Sequence, residues 1–172
     1  AMARHPDFKR VDSLVLISPN WGPAAAGAGI ATGPWGRQLT LLLAGSERQW
    51  EAANDDQERY WTTRYPSLAI VEMMRLVDLA DRLTDEARVP SALLVYSPQD
   101  DVVSVPKLLD GFARLPAQRK ATIAVDAREA LSAHVFTGDI LAPEQTPLTV
   151  AAVLDFITAE TAGVPAKEGP AN

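Results

Sequence analysis

Several residue types that build common functional sites are missing or scarce in this chain of 172 residues. Cysteine is absent, which excludes disulfides and thiolate metal sites, and two histidines are too few for a histidine-rich metal centre. No apolar run approaches the roughly 18 residues that a membrane-crossing helix needs, and the amino terminus lacks the apolar segment of a signal peptide. The sequence therefore predicts a protein with no membrane span and no metal. Solubility is expected, with the cytoplasm favoured over the periplasm or secretion.

Positively charged residues are also fewer than negatively charged ones. Lys and Arg number 16 against 22 Asp and Glu, which gives a net charge of −6, and the basic residues are scattered among acidic ones. Nucleic-acid binding depends on clustered positive charge, so no nucleic-acid partner is expected. With 47% apolar residues the chain is an ordinary globular domain in composition, and its length is sufficient for a substantial core.

Three short apolar runs predict a parallel β-sheet. Val11–Ile17, Ser91–Ser97 and, more weakly, Ala121–Val125 are nearly continuous in hydrophobicity, as is typical of strands covered on both faces. Amphipathic spacing over Leu108–Leu115 and Leu148–Ile157 predicts a helix after each of the last two strands. The chain is therefore expected to be an α/β protein with about three parallel strands and flanking helices.

A long insertion separates the first two strands. Residues 21–89 are too many for one crossover helix, and helical spacing recurs over Pro34–Ala44, Glu47–Trp61 and Ser67–Leu83. We therefore predict a helical cap at 21–89, with Ser46 at the start of its second helix. Most of the cap's aromatic residues are expected in its core rather than in a pocket: Trp35, Trp50, Tyr60, Trp61 and Tyr65.

The rest of the chain divides around this insertion. Residues 1–20 and 90–161 would form the sheet and its helices. Residues 162–172 are small and rich in proline and glycine, which predicts a flexible tail.

Two polar residues follow predicted strands in an order that suggests chemistry. Asp100 comes directly after an apolar strand and a Ser97-Pro98-Gln99 turn, and His134 lies 34 residues later in a loop after the next strand. The carboxyl ends of parallel strands line the ligand crevice of an open sheet. A carboxylate there can bind imidazole Nδ1–H and leave Nε2 for a reacting group. Asp100 and His134 are therefore the predicted catalytic acid and base.

These segments resemble the C-terminal half of α/β-hydrolase-fold esterases and lipases. Leu14-Val15-Leu16-Ile17-Ser18-Pro19-Asn20 is similar to the strand after the nucleophile helix, Ser97–Val103 to the acid loop, and Ala133-His134-Val135 to the histidine loop. The resemblance covers most of residues 8–160, with the cap only loosely matched. It implies a partial α/β-hydrolase fold that acts on small esters with an apolar acyl group, without a cofactor. It assigns the triad acid to Asp100 rather than its neighbour Asp101.

The resemblance also implies a crevice beside the strand ends. Asn20 and Trp21 follow the first strand, Val103 follows the acid, and Val135 follows the histidine, so these four residues are predicted to line the pocket. His5 precedes a proline near the amino terminus and is expected to have no functional role.

The nucleophile of that family is missing. Gly-x-Ser-x-Gly occurs nowhere, and none of the serines has the glycine-flanked turn that exposes a reactive hydroxyl. The chain by itself is therefore expected to be inactive, with the serine supplied by a missing N-terminal half or a partner chain along Val11–Ile17. Epoxide hydrolases and dehalogenases with an Asp nucleophile stay open, as does a weak metal-binding use of Asp100 and Asp101. A non-catalytic module that docks through its open sheet edge is the alternative.

Overall fold

A computed structural model describes residues 5–161, so the predicted tail at 162–172 lies outside the described residues. Three of its elements are short 3₁₀ turns, at Pro6–Arg10, Ala28–Thr32 and Thr84–Glu86. The strands and helices are, in chain order, β1 (Ser13–Ile17), α1 (Gly36–Ala44), β2 (Glu47–Gln49), α2 (Asp55–Tyr60), β3 (Arg64–Pro66), α3 (Leu68–Leu83), β4 (Val89–Tyr96), α4 (Val105–Arg114), β5 (Ala117–Ala124) and α5 (Thr146–Thr161).

The central element is a parallel sheet in the order β1-β4-β5. Ser13 of β1 pairs with Ser91 of β4, and Ser91 pairs in turn with Arg119 of β5. Strand β4 has a neighbour on each side and is buried from Ser91 to Val95, which explains its continuous hydrophobicity. The predicted α/β class with three parallel strands is confirmed.

The sheet has a hydrophobic core on each face because side chains alternate along β4. Ala92 and Leu94 pack with Leu108 and Phe112 of α4 on one face. Leu93 and Val95 pack with Phe136 and Phe156, among others, on the opposite face. Each apolar residue of β4 thus contributes to one of two layers of helix and loop.

The two outer strands differ in character. The strand predicted at Ala121–Val125 begins earlier, at Ala117. Its first half, Ala117-Gln118-Arg119-Lys120, is mostly polar and alternates between half-buried and exposed, so it has no continuous apolar run that would have predicted a strand. Lysine and arginine on an edge strand discourage further pairing. Strand β1 is apolar, is half-buried along most of its length, and pairs only with β4 within the described residues.

The insertion at 21–89 contains α1, α2, α3 and the antiparallel ribbon β2–β3. A separate small core joins Ala31 to Val71 and Met74 of α3. The helix predicted over Glu47–Trp61 is wrong in its first half. Residues Glu47–Gln49 pair as a strand with Arg64–Pro66, and the helix begins only at Asp55.

Asn54, rather than Ser46, caps that shorter helix. Its Oδ1 accepts a hydrogen bond from the backbone N–H of Gln57 at 2.8 Å, a typical N-cap bond. Ser46 lies before the ribbon, where its carbonyl accepts from Ser67 N–H. The helical spacing of Trp50, Ala53, Gln57 and Trp61 suggested a longer helix, but only Asp55–Tyr60 is helical and Glu47–Gln49 form a strand of the ribbon.

The aromatic residues of the insertion are more exposed than expected. Trp35 is 73% exposed and Tyr60 is 65% exposed, so neither forms a core. Trp50 and Trp61 contact each other edge to face, with ring centroids 6.2 Å apart. Among residues 5–161 no helix combines the length and hydrophobicity required to cross a membrane.

Candidate active site

Asp100 is held in a tight loop after β4. Its backbone N–H donates to Ser97 O at 3.2 Å, and its Oδ1 accepts from the backbone N–H groups of Val102 and Val103 at 2.9 and 3.0 Å. The side chain is fully buried. This Asx-type turn is the structural role expected of an Asp at such a position. It occupies only one oxygen and leaves Oδ2 for a different partner.

His134 lies in an irregular loop after β5. The Ser132 hydroxyl accepts from the backbone N–H groups of His134 and Val135, at 3.3 and 3.1 Å, which fixes the local turn. Two residues on, Phe136 is completely buried in the core between Leu93 and Phe156. The loop is thus anchored directly beside the imidazole, and the backbone position of His134 is set by packing.

The two loops bring the predicted residues together. His134 Nδ1 lies 2.8 Å from Asp100 Oδ2, a distance typical of a charge-assisted hydrogen bond. Asp100, rather than the exposed Asp101, makes this contact. Because the carboxylate can only accept, Nδ1 carries the proton and a neutral imidazole keeps Nε2 as an acceptor. The His134 side chain is 25% exposed, so it is neither fully buried nor free in solvent.

Gln99 couples the two loops and was not singled out by the sequence. Its Oε1 accepts from the Ser97 hydroxyl at 3.1 Å and from the backbone N–H of Ala127 at 3.3 Å. Ala127 belongs to the loop that leads to His134. The Ser-Pro-Gln turn was visible in the sequence, but the partner 28 residues away was not.

The first residues of the insertion are hydrogen-bonded to the residues that follow Asp100. Ala24 N–H donates to Val102 O at 2.9 Å, and Ser104 N–H donates to Gly22 O at 2.8 Å. Farther along, Asn54 Nδ2 donates to Ile140 O at 2.8 Å and links the insertion to the loop that follows His134. The insertion is therefore attached to both loops that carry the candidate pair.

Two of the four predicted pocket residues lie beside the pair. Val103 is buried and bonded through its backbone N–H to Asp100, and Val135 is half-buried next to His134. Val103 also forms an isolated antiparallel β-bridge with Pro23, near the start of the insertion.

The other two, Asn20 and Trp21, make different contacts. Trp21 Nε1 donates to the Thr84 hydroxyl at 2.7 Å, and its indole packs so closely on Gly111 that a side chain there would overlap it. Asn20 Oδ1 accepts from Gly22 N–H at 2.9 Å. Both line a cavity on the α4 face beside β1, so they sit near the first strand rather than on His134.

Ser18 ends β1 in a strained conformation that the sequence did not indicate. Its φ of 42° lies in the left-handed region, which is costly for a residue with a Cβ. Its hydroxyl is buried and has no hydrogen-bond partner within the described residues. Pro19 and an irregular loop follow it rather than a helix, so it does not have the exposed geometry of a nucleophile on a strand-to-helix turn.

Electrostatic perturbation is clearest on the loop before His134. Two hydrogen bonds from Arg128, through its side chain and then its backbone N–H, lower the pKa of Asp126 from 3.8 to about 2. The Asp126 side chain is 56% exposed, so this is a local surface ion pair with Arg128. His5, the second histidine, is exposed and caps the 3₁₀ turn at Pro6–Arg10. Within residues 5–161, no group of three or more His, Asp or Glu is arranged to bind a metal.

A parallel sheet with flanking helices, and two loops at the carboxyl ends of neighbouring strands, define a partial α/β-hydrolase fold. Lipolytic enzymes are among the solved structures that match the chain. A structure from work on LipS and LipT, two metagenome-derived lipolytic enzymes, matches with a TM-score of 0.63 at 14% identity, over 86% of this chain and 55% of its own. The monoacylglycerol lipase of Paleococcus ferrophilus matches with a TM-score of 0.61 at 15% identity, over 92% of this chain and 62% of its own.

The chain therefore spans less than two thirds of the length of these structures. No protein-family model matches the sequence, and no curated protein matches it. At such low identity the likeness establishes the fold, while the chemistry depends on the residues described above.

Proposed function

We propose that this chain is the C-terminal portion of a serine hydrolase that acts on carboxylic esters, and that it supplies the acid and the base of a Ser-Asp-His triad. The observation that carries the proposal is the 2.8 Å contact between His134 Nδ1 and Asp100 Oδ2 at the carboxyl ends of β4 and β5. The hydrolase-like fold supports it, since such folds place these groups at this edge of the sheet.

In this proposal His134 works through Nε2. It takes the proton from a serine hydroxyl as that oxygen attacks the ester carbonyl, and it then returns the proton to the leaving alcohol. In the second half of the reaction, His134 Nε2 takes a proton from water as the water attacks the acyl-serine, and it returns that proton to the serine oxygen as the carboxylic acid is released. Asp100 holds the imidazole in the Nδ1–H tautomer and stabilises the imidazolium. Its own orientation is secured by the Val102 and Val103 N–H groups.

The nucleophile is proposed to come from outside this chain, on a segment that pairs with β1. That strand is apolar, and within the described residues β4 is its one hydrogen-bonded neighbour. Ile17, at its carboxyl end, is 42% exposed. A parallel strand added here would have its carboxyl end at the same edge of the sheet as the Asp100 and His134 loops, which is where a nucleophile is needed. The segment is an N-terminal half of the same gene product or a partner chain.

The test compares the 172-residue chain with a longer product translated from the upstream reading frame. We expect the longer product to hydrolyse p-nitrophenyl esters and to react covalently with a fluorophosphonate, whereas the chain alone does neither. His134→Ala should lower turnover on the order of 10⁴-fold. His5→Ala, the matched control, should not change it. Equal rates for the wild type and His134→Ala would remove His134 from the mechanism.

The reagent also separates serine from aspartate nucleophiles. A longer product that depends on His134 but resists the fluorophosphonate would indicate an Asp nucleophile and an epoxide- or halide-cleaving reaction. That result would overturn the ester-hydrolase proposal and retain only the acid–base pair.

A non-catalytic docking module is the second candidate, and it is favoured by apolar surface on α5 as well as by the edge of β1. Residues Val150, Leu154 and Ile157 form one exposed stripe on that helix, while Val153 and Phe156 pack on the sheet. A helix that is apolar around its circumference is normally covered on all sides. This candidate predicts a stable complex with another chain and no esterase activity in any product of the gene.

A further inference from the structure

An apolar chamber of about 480 Å³, open to solvent, lies among the elements of the insertion and extends to the loop that follows β4. Its walls are the loop at 23–31, helices α1 and α3, and the β2–β3 ribbon. The side chains lining it are mostly aliphatic or thioether groups, including Ala28, Ile30, Leu43, Ile70, Met73 and Met74. This volume is within the range of small-molecule sites, and flexible methionines adapt to chains of varied shape.

One charged residue, Arg48, is found among those lining this chamber. Arg48 is paired across the ribbon with Tyr65, so both side chains project from the same face, and both line the chamber. The adjacent arginine, Arg64, is already paired with Glu47. Within the described residues no carboxylate forms an ion pair with Arg48, so its guanidinium is available to an anion.

One end of the chamber borders the loop that holds Asp100. Val102 is one of its lining residues, and the backbone N–H of Val102 donates to Asp100 Oδ1 at 2.9 Å. A molecule that fills the chamber therefore contacts the same loop that positions the acid. Aliphatic walls, one cation and this connection together restrict the chemistry of the occupant.

We infer that the chamber binds the apolar chain of a carboxylate-bearing amphiphile, with the carboxylate on Arg48 and the chain against the aliphatic walls. The planar guanidinium matches a carboxylate with two parallel hydrogen bonds, which a neutral or cationic end group cannot accept. This inference rests on the proposed function for its substrate class: an ester that carries a free carboxylate at the far end of an aliphatic chain. The binding itself requires no turnover.

The test is calorimetric titration of the 172-residue chain with three ten-carbon probes below their micelle concentrations. These are decanoate, decanol and decyltrimethylammonium, which share the chain and differ in end-group charge. We expect decanoate to bind at least tenfold more tightly than either of the others. Decanol binding as tightly as decanoate would overturn the role of Arg48, and no binding of any probe would overturn the chamber as a ligand site.

Three variants locate the site. Arg48→Gln should weaken decanoate about tenfold and leave decanol unchanged, whereas Arg82→Gln, the same change at an exposed position on α3, should alter neither. Ala26→Trp places an indole at an exposed lining position and should weaken both probes. Equal decanoate affinity in Arg48→Gln and the wild type would refute the assignment.

Failure of the inference is distinguishable from failure of the proposed function. His134→Ala should bind decanoate as the wild type does, since His134 does not line the chamber. If Arg48-dependent binding is found but the longer product lacks His134-dependent hydrolysis, the ligand site stands and the hydrolase proposal falls. If the longer product hydrolyses esters but Arg48-dependent binding is not found, the hydrolase proposal stands and the ligand site falls.

Discussion

Replacing Asp100 with alanine is the most informative perturbation of this chain, because the side chain makes three hydrogen bonds and is fully buried. The change leaves the Val103 N–H without a partner in a site that is 1% exposed, which costs about 1–3 kcal/mol. The Val102 N–H lies in a residue that is 50% exposed and can recover a bond to water. The lost bond to His134 adds about 1 kcal/mol. We therefore expect Asp100→Ala to lower the free energy of unfolding by about 3 kcal/mol.

Asp100→Asn separates the two roles of this side chain, which are to hold its own loop and to orient His134. The amide oxygen can still accept from both backbone N–H groups, so the loss in stability should be only about 1 kcal/mol. The amide nitrogen then faces His134 Nδ1 and must donate to it, which forces the imidazole into the Nε2–H tautomer. The isosteric change should thus leave the fold almost intact while it reverses the tautomer that catalysis requires.

Urea unfolding of the 172-residue chain measures the stability differences, and ¹⁵N chemical shifts of the imidazole nitrogens report the tautomer. Asp101→Ala is the matched control, since its exposed neighbouring carboxylate should change stability by less than about 0.5 kcal/mol. If Asp100→Ala and Asp101→Ala unfold at the same urea concentration, the reasoning that Asp100 organises this loop is wrong. An unchanged tautomer in Asp100→Asn would refute the orientation assigned to the imidazole.

Two further predictions concern the surroundings of the site. Gly111→Ala in α4 should lower the free energy of unfolding by about 1–3 kcal/mol, measured in urea, because the new methyl group overlaps the Trp21 ring. Gly29→Ala is the control and should be nearly neutral, since the new methyl group meets no atom within 4 Å. Equal losses of stability in the two variants would contradict this packing. The carboxyl group of Asp126 should titrate with a pKa of about 2 by NMR, and Arg128→Ala should return it toward 3.8. Because the pKa is lowered in the folded state, the pair stabilises the loop above pH 3.8, and that contribution is lost as the pH falls through about 2. A midpoint near 3.8 in the unsubstituted chain would rule out the pair.

The sequence predicted those parts of the fold that depend on local pattern. Strand β4 is buried on both faces, so its hydrophobicity is continuous and its position could be read directly. The helix at Leu68–Leu83 was likewise predicted, because a long amphipathic stretch has one interpretation. Edge strand β5 was found only in part, since an exposed edge tolerates the polar residues that fill its first half.

Two predictions for the insertion were wrong because they depended on tertiary contacts that the local sequence pattern does not show. Trp35 and Tyr60 were expected inside a core, but the insertion has only a small one around Val71 and Met74, and the two rings lie outside it. The ribbon at Glu47–Gln49 is three residues long and gains its stability from pairing with β3. A pairing that joins segments 17 residues apart leaves no periodic signal in either one.

The sequence alone determined the order of the candidate groups: a carboxylate after one buried strand and an imidazole after the next. Chain order, however, gives no distances. Only the tertiary structure decided that Asp100 Oδ2 and His134 Nδ1 lie 2.8 Å apart, that Gln99 connects the two loops, and that Arg48 lines an aliphatic chamber beside Val102. The first two depend on contacts between segments far apart along the chain, which form when β4 and β5 pair and Phe136 packs into the shared core. The third depends on the pairing of β2 with β3, which places Arg48 beside Tyr65 in the chamber wall.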